Sequence, residues 1–171
     1  MERGYVQVYT GNGKGKTTAA FGLALRALCA GKTVYIGQFI KGMKYSETAV
    51  VEKFEGIKIE QFGNGCYIQT RPSEADCIEA RKWLDYCGEI LRRGEYDIVI
   101  LDEIFIATYF HMFSWEEVIA ILEKRAPAVE VVLTGRYAPV ELIEYADLVT
   151  EMTELKHYYQ KGVLSRKGID C

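Results

Sequence analysis

No stretch of this sequence stays apolar for the roughly 20 residues that a membrane-spanning helix needs, and no internal repeat or low-complexity linker divides it. Basic charge is not in excess either. With 24 acidic against 21 basic residues the net charge is −3, so the basic footprint of a duplex-binding surface is missing. No membrane and no nucleic acid is therefore an expected partner. The five cysteines (Cys29, Cys66, Cys77, Cys87, Cys171) are odd in number and lack C-x-x-C spacing. That pattern argues against zinc and for reduced thiols in a cytoplasm. Met1-Glu2-Arg3-Gly4 runs almost at once into a strand pattern, which leaves no room for a signal peptide and gives the same cytoplasmic expectation. An activated nucleophile is also lacking: no Ser, Cys or Lys is evident in that role, and nothing near His111 forms a triad.

What is present is ordinary globular material. An apolar share of 49% over 171 residues suits one compact domain spanning 1–171 with a substantial core.

The most informative stretch is Thr10-Gly11-Asn12-Gly13-Lys14-Gly15-Lys16-Thr17-Thr18. Before it, Tyr5-Val6-Gln7-Val8-Tyr9 alternates like a strand; after it, Ala19 to Ala30 carries good helix formers at helical spacing. Strand, glycine loop and helix together are the setting of a phosphate-binding loop. Glycines at 11, 13 and 15 let backbone N–H groups turn inward around an anion without Cβ clashes. A helix beginning near Lys16 adds its unpaired N–H groups and positive dipole end. Lys16 would reach the β- and γ-phosphates of ATP, and the Thr17 hydroxyl would hold Mg²⁺. Residues 11 to 18 are thus the expected ATP-binding set. The strict pattern G-x-x-x-x-G-K-[ST] would place glycine where Thr10 stands; Gly11 and Gly13 still supply the flexible positions.

Downstream, Tyr96-Asp97-Ile98-Val99-Ile100-Leu101-Asp102-Glu103 is apolar without alternation and closes on two carboxylates. Such a strand looks like a Walker B element, in which one carboxylate holds Mg²⁺ and the other orients water or ligand. Thr17, Asp102 and Glu103 are accordingly the candidate metal set, and Lys16 and Glu103 the candidate catalytic pair.

Further strands are expected at 33–39, 57–62, 129–134 and 147–152, with helices at 46–54, 73–93, from the Ser114 capping box toward Pro127, and at 139–145. Cys77, Ala80, Leu84, Cys87 and Leu91 are spaced 3, 4, 3, 4 and form one packing stripe. Lys41 and Lys44 leave the second strand, where they could face phosphate or simply be solvated. The aromatic segment Ile104–Phe113 could line a pocket for a flat ligand or be a helix packed in the core. Strands alternating with helices imply an α/β fold, a mostly parallel sheet with helices on both faces.

Collected in order, these residues resemble the P-loop corrinoid adenosyltransferases. The matching pieces are the loop from Thr10 to Gly22, Gln38-Phe-Ile-Lys-Gly42, Leu101-Asp-Glu103, Thr134-Gly-Arg136, Ala146-Asp-Leu-Val-Thr-Glu151, Lys156-His157 and Lys167-Gly-Ile-Asp170. They run collinearly across nearly the full chain. The resemblance implies a three-layer RecA-like P-loop NTPase fold and transfer of the 5′-deoxyadenosyl group of ATP to cobalt(I) of a reduced corrinoid, with release of triphosphate. It adds Arg136 to the ATP set and puts Tyr67, Ile68 and Lys41 on the corrinoid side. It implies Mg²⁺, corrinoid as co-substrate, an electron-donating reductase or flavoprotein as partner, and a possible homodimer. In that family ATP lies reversed along the loop relative to ordinary P-loop ATPases. Where the family carries a segment like Gly-Phe-Thr-Trp-Glu-Thr, this chain has Gly65-Cys66-Tyr67-Ile68-Gln69-Thr70. After the acidic strand it reads Glu103-Ile104-Phe105-Ile106-Ala107 in place of Glu-Ile-Asn-Tyr-Ala. Two alternatives stay open: a P-loop ATPase or phosphotransferase with a changed acceptor, and a non-catalytic nucleotide- and corrinoid-binding protein.

Overall fold

The alternating patterns assemble into a six-stranded sheet of order β3-β2-β4-β5-β1-β6, in which every recorded pairing is parallel. The computed structural model describes residues 2–41, 45–63 and 72–170. The strands are β1 (Val6–Thr10), β2 (Val34–Phe39), β3 (Ile57–Phe62), β4 (Ile98–Asp102), β5 (Glu130–Thr134) and β6 (Leu148–Glu151). Five α-helices join them: α1 (Lys16–Cys29), α2 (Glu74–Arg93), α3 (Ile104–Tyr109), α4 (Trp115–Glu123) and α5 (Val140–Tyr145). Most ends lie within one or two residues of the sequence expectation, the usual uncertainty of element boundaries.

Side-chain alternation along the strands sorts the core into two layers. Val34, Ile36, Ile98, Ile100 and Val132 face α1, whose Ala20, Ala24 and Ala27 recur at helical spacing and let that helix lie close to the sheet. Val6, Val8, Tyr35, Val99, Leu101, Val131 and Leu133 face the opposite layer. There Leu84, Cys87 and Leu91 of α2 pack with Val118, Ile121 and Leu122 of α4 and Leu142 of α5. The structure is therefore α/β with helices on both faces of an open parallel sheet, the P-loop NTPase type of arrangement. Strong local signals fix α2: Ser73 and Asp76 form a reciprocal capping box, and Gly94 closes the helix in the left-handed conformation.

Two expectations change. Ser46–Glu52 is a 3₁₀ helix with no buried residue, not an α-helix. Ile104–Phe113 is not one element: α3 stops at Tyr109, and His111 takes a positive φ of 55°. Phe105, Met112 and Phe113 are buried in the core, whereas Tyr109 is exposed. Among the described residues no helix is long and apolar enough to cross a membrane.

The sheet order places β5 between β4 and β1. The C-terminal ends of these strands, where an open parallel sheet presents its ligand loops, therefore lie side by side.

Candidate functional site

Thr10 ends β1 and the chain turns through Gly11 (φ 98°) and Gly15 (φ 121°) before α1 begins at Lys16. Glycine in this loop has a second reason besides exposing N–H groups. The segment leaving β6 presses on the loop, and a Cβ at Gly13 would sit 2.6 Å from the Met152 carbonyl oxygen, one at Gly11 2.5 Å from it. Gly13 instead donates its N–H to that oxygen at 2.7 Å. Any side chain at these two positions would push the loop off its support.

Lys16 is buried, and its ammonium donates to the carbonyls of Gly11 at 2.7 Å and Gly13 at 2.8 Å. Burial lowers its pKa; the nearby Glu103 opposes that, and the Arg136 charge adds to it. Lys14 points the other way, donating to the Ile169 carbonyl at 2.7 Å and pairing with Asp170 at 3.0 Å. Asn12 and Thr18 are exposed.

The centre of the site is Asp102, the last residue of β4, with 0% of its surface exposed. A carboxylate so placed is costly unless its lone pairs are filled, and here both oxygens are. Oδ1 accepts the Thr17 hydroxyl at 2.9 Å and the Thr134 hydroxyl at 2.7 Å. Oδ2 accepts the Gln38 amide at 3.1 Å and the Lys41 ammonium at 2.7 Å. The donors come from the phosphate loop's helix, from β5 and from β2 with the residues just past its end, so one carboxylate ties three segments together. Lys41, which the resemblance puts on the corrinoid side, has its ammonium on Asp102 and 3.7 Å from Glu47. Tyr67 and Ile68 lie outside the described residues.

Glu103 follows in a left-handed conformation, φ 59° and ψ 23°. For a residue with a Cβ this costs about 1–3 kcal/mol. Full burial of Ile104 and Phe105 just beyond it, at about 1.5–3 kcal/mol each, is enough to hold the turn. Its N–H donates to the Thr134 hydroxyl at 3.0 Å. Burial raises the Glu103 pKa and the Asp102 charge adds to the rise; Lys41, Lys16 and Arg136 oppose it. Arg136 itself is exposed, one residue beyond Gly135. Ile40 (φ 55°) and Tyr137 (φ 63°) are left-handed as well. Backbone strain thus collects just past the ends of β2, β4 and β5. Tyr137 also stacks on Tyr109, with ring centroids 4.4 Å apart.

Two residues of this network carry no role in the sequence reading, Gln38 and Thr134. Both are fully buried. A signal was available: each is a polar residue near the end of an otherwise apolar central strand, where an unpaired group would be expensive. What the linear sequence lacked was the register, which sets Gln38 opposite Asp102 and Thr134 opposite Tyr9.

The arrangement suits binding of a polyphosphate beside a cation. A glycine loop and helix start present N–H groups, while a hydroxyl and a buried carboxylate offer hard oxygen donors. No group of three or more His, Cys, Asp or Glu side chains that could hold a metal occurs among the described residues, so a cation here would also draw on a ligand's oxygens.

Comparison with known proteins agrees with this geometry. The model of the family described as ATP:corrinoid adenosyltransferase BtuR/CobO/CobP matches residues 2–171. A corrinoid adenosyltransferase of Escherichia coli K12 is 36% identical over 169 residues, covering 99% of this chain and 86% of that protein. One from a Sinorhizobium species is 38% identical over 173 residues, covering 99% and 81%. The corrinoid adenosyltransferase CobA of Salmonella typhimurium is 36% identical, covering 99% and 86%. The chain belongs to the ATP:corrinoid adenosyltransferase family.

Proposed function

We propose that the protein, acting as a single domain over 1–171, transfers the 5′-deoxyadenosyl group of ATP to cobalt(I) of a reduced corrinoid. The observation that carries the reading is the meeting of the phosphate loop with the buried Asp102, within a chain whose family membership spans its length. A Co–C5′ bond forms with the electron pair of cobalt(I), cobalt becoming formally cobalt(III). The C5′–O bond breaks, and its pair leaves with triphosphate. The nucleophile belongs to the substrate, so the protein needs no activated Ser, Cys or Lys. Its task is to position C5′ and to stabilise negative charge on the departing triphosphate.

In this reading the loop and helix start from Gly11 to Thr18 wrap the phosphates, with N–H groups other than that of Gly13, which stays on Met152. Lys16 leaves the Gly11 and Gly13 carbonyls to meet a phosphate oxygen, and Arg136 adds a second charge from the end of β5. Mg²⁺ fits the donor set: the Thr17 hydroxyl and Asp102 carboxylate are 2.9 Å apart, and the other oxygen of Asp102 already carries the Lys41 ammonium. When bound, Mg²⁺ would neutralise charge on the triphosphate. Thr17 and Asp102 would hold it, with Glu103 fixing a coordinated water or the ligand. Tyr67, Ile68 and the exposed Tyr109–Tyr137 stack are the candidates for the corrinoid side. A reductase or flavoprotein would supply cobalt(I), a second subunit could complete the corrinoid site, and the reaction would run in the cytoplasm.

The test is anaerobic incubation with Mg-ATP and chemically reduced cobinamide or cobalamin. Formation of a light-sensitive organocobalt spectrum is expected. A corrinoid spectrum that never changes, with ATP bound, would overturn the reading in favour of a carrier.

A further inference from the structure

Beside the phosphate loop, on the side away from Asp102's partners in β2, lies a cavity of about 220 Å³. One wall is the loop's apex, Gly13 and Lys14; the other is the chain leaving β6, with Glu154, Lys156, His157 and Tyr158. Both ends of that wall are tied to the loop. Met152 accepts the Gly13 N–H at 2.7 Å, and Asp170 pairs with Lys14 at 3.0 Å while also holding the Tyr158 hydroxyl and Arg166. The cavity therefore keeps its place relative to the phosphate loop.

Its lining carries two lysines, one carboxylate and several hydrogen-bond donors. Lys14 and Lys156 carry positive charge, and Lys156 has no recorded hydrogen bond or ion pair among the described residues. The single carboxylate, Glu154, accepts from Gln160. Nδ1 of His157 accepts the Tyr159 N–H at 3.1 Å, so the neutral imidazole carries its proton on Nε2, as a donor. The two rings in the wall, His157 and Tyr158, are tilted by 53° and present no parallel-sided slot for a nucleobase. An ammonium without an anion of its own, Lys156, beside the imidazole N–H of His157 and next to a phosphate loop, matches phosphoryl oxygens.

We propose that this cavity is an anion subsite for the terminal phosphates of the bound nucleotide and for the inorganic triphosphate it becomes, with Lys156 and His157 as its donors. The inference rests on the nucleotide reading above and extends it to residues outside the glycine loop and the acidic strand. It gives the segment after β6 a task in holding the leaving group.

Calorimetric titration of the full chain with inorganic triphosphate in the presence of Mg²⁺ tests it, alongside displacement experiments with adenosine, which has the base and ribose but no phosphate. Lys156→Ala and His157→Gln should each weaken triphosphate by roughly tenfold, the loss of one charge-assisted contact, and leave adenosine unaffected. Lys156→Arg should restore most of the affinity, which separates a charge effect from a folding defect. Unchanged triphosphate affinity in both variants would overturn the subsite alone. So would a selective loss of adenosine, which would make the cavity a base pocket. If the unaltered chain binds no triphosphate at all, the nucleotide-site reading falls and the subsite with it.

Discussion

The Lys41 ammonium lies 2.7 Å from Oδ2 of the fully buried Asp102, the carboxylate whose Oδ1 accepts the Thr17 hydroxyl. The lysine neutralises a carboxylate that would otherwise be buried with only neutral donors. Removing one member of a buried pair is strongly destabilising, by about 3–5 kcal/mol in general; the remaining hydroxyl and amide donors put this case near the low end. Lys41→Met should lower the melting temperature of the metal-free protein. Mg²⁺ with nucleotide should then raise the melting temperature of the variant more than that of the parent chain. Equal shifts in the two proteins would show that lysine and metal do not compete for Asp102.

Lys16→Ala should remove most nucleotide affinity. Its ammonium is the buried charge of the loop, held by the loop's own carbonyls, and a hydrogen bond to a charged partner contributes about 1.5–3 kcal/mol, or roughly 10- to 150-fold in Kd. Equilibrium binding of ATP measures this. Wild-type affinity in the variant would remove the loop from the account.

Glu103 links stability to pH in the opposite sense from a salt-bridged carboxylate. Its folded pKa is raised, chiefly by burial, so ionising it is harder in the folded than in the unfolded chain. The penalty is absent below the ordinary carboxylate range, where both states are protonated, and is fully present above the folded pKa. Glu103→Gln should therefore stabilise the metal-free protein at neutral pH and lose that advantage as the pH falls through the carboxylate range. The same change should lower Mg²⁺-dependent turnover, the usual exchange between stability and activity at a functional site. Melting curves at several pH values, with a turnover assay beside them, check both signs.

Thr134→Val should cost about 1–3 kcal/mol, because it leaves the Glu103 N–H without its acceptor and removes one donor from Asp102. Thr134→Ser, which keeps the hydroxyl, should recover most of the loss in denaturant unfolding. If valine is as stable as threonine, the hydroxyl is not holding the left-handed turn at Glu103.

How far the site could be read from the chain depends on how local each part is. The phosphate loop and the acidic end of β4 are contiguous motifs in which residue type and order already carry the chemistry, so Gly11 to Thr18 and Asp102-Glu103 stand out. The fold class was legible for a similar reason, since strand and helix periods alternate along the sequence. Gln38, Lys41 and Thr134 were not assigned to Asp102, because what brings them there is strand order and register across β2, β4 and β5. The end of α3 was not legible because its apolar composition continues past Tyr109, whereas the left-handed His111 turns the backbone away. The cation-lined wall after β6 was visible only as a basic tail; its contact with the loop depends on Gly13, Lys14 and Asp170 meeting across the fold.

The most direct test of adenosyl transfer is to identify the phosphate product and count it against alkylated corrinoid in one anaerobic reaction. Adenosyl transfer requires inorganic triphosphate, formed one for one with the light-sensitive cobalt–carbon product, and little ADP. ADP accumulating while the corrinoid stays unalkylated would contradict it and leave an ATPase or phosphotransferase built on the same loop.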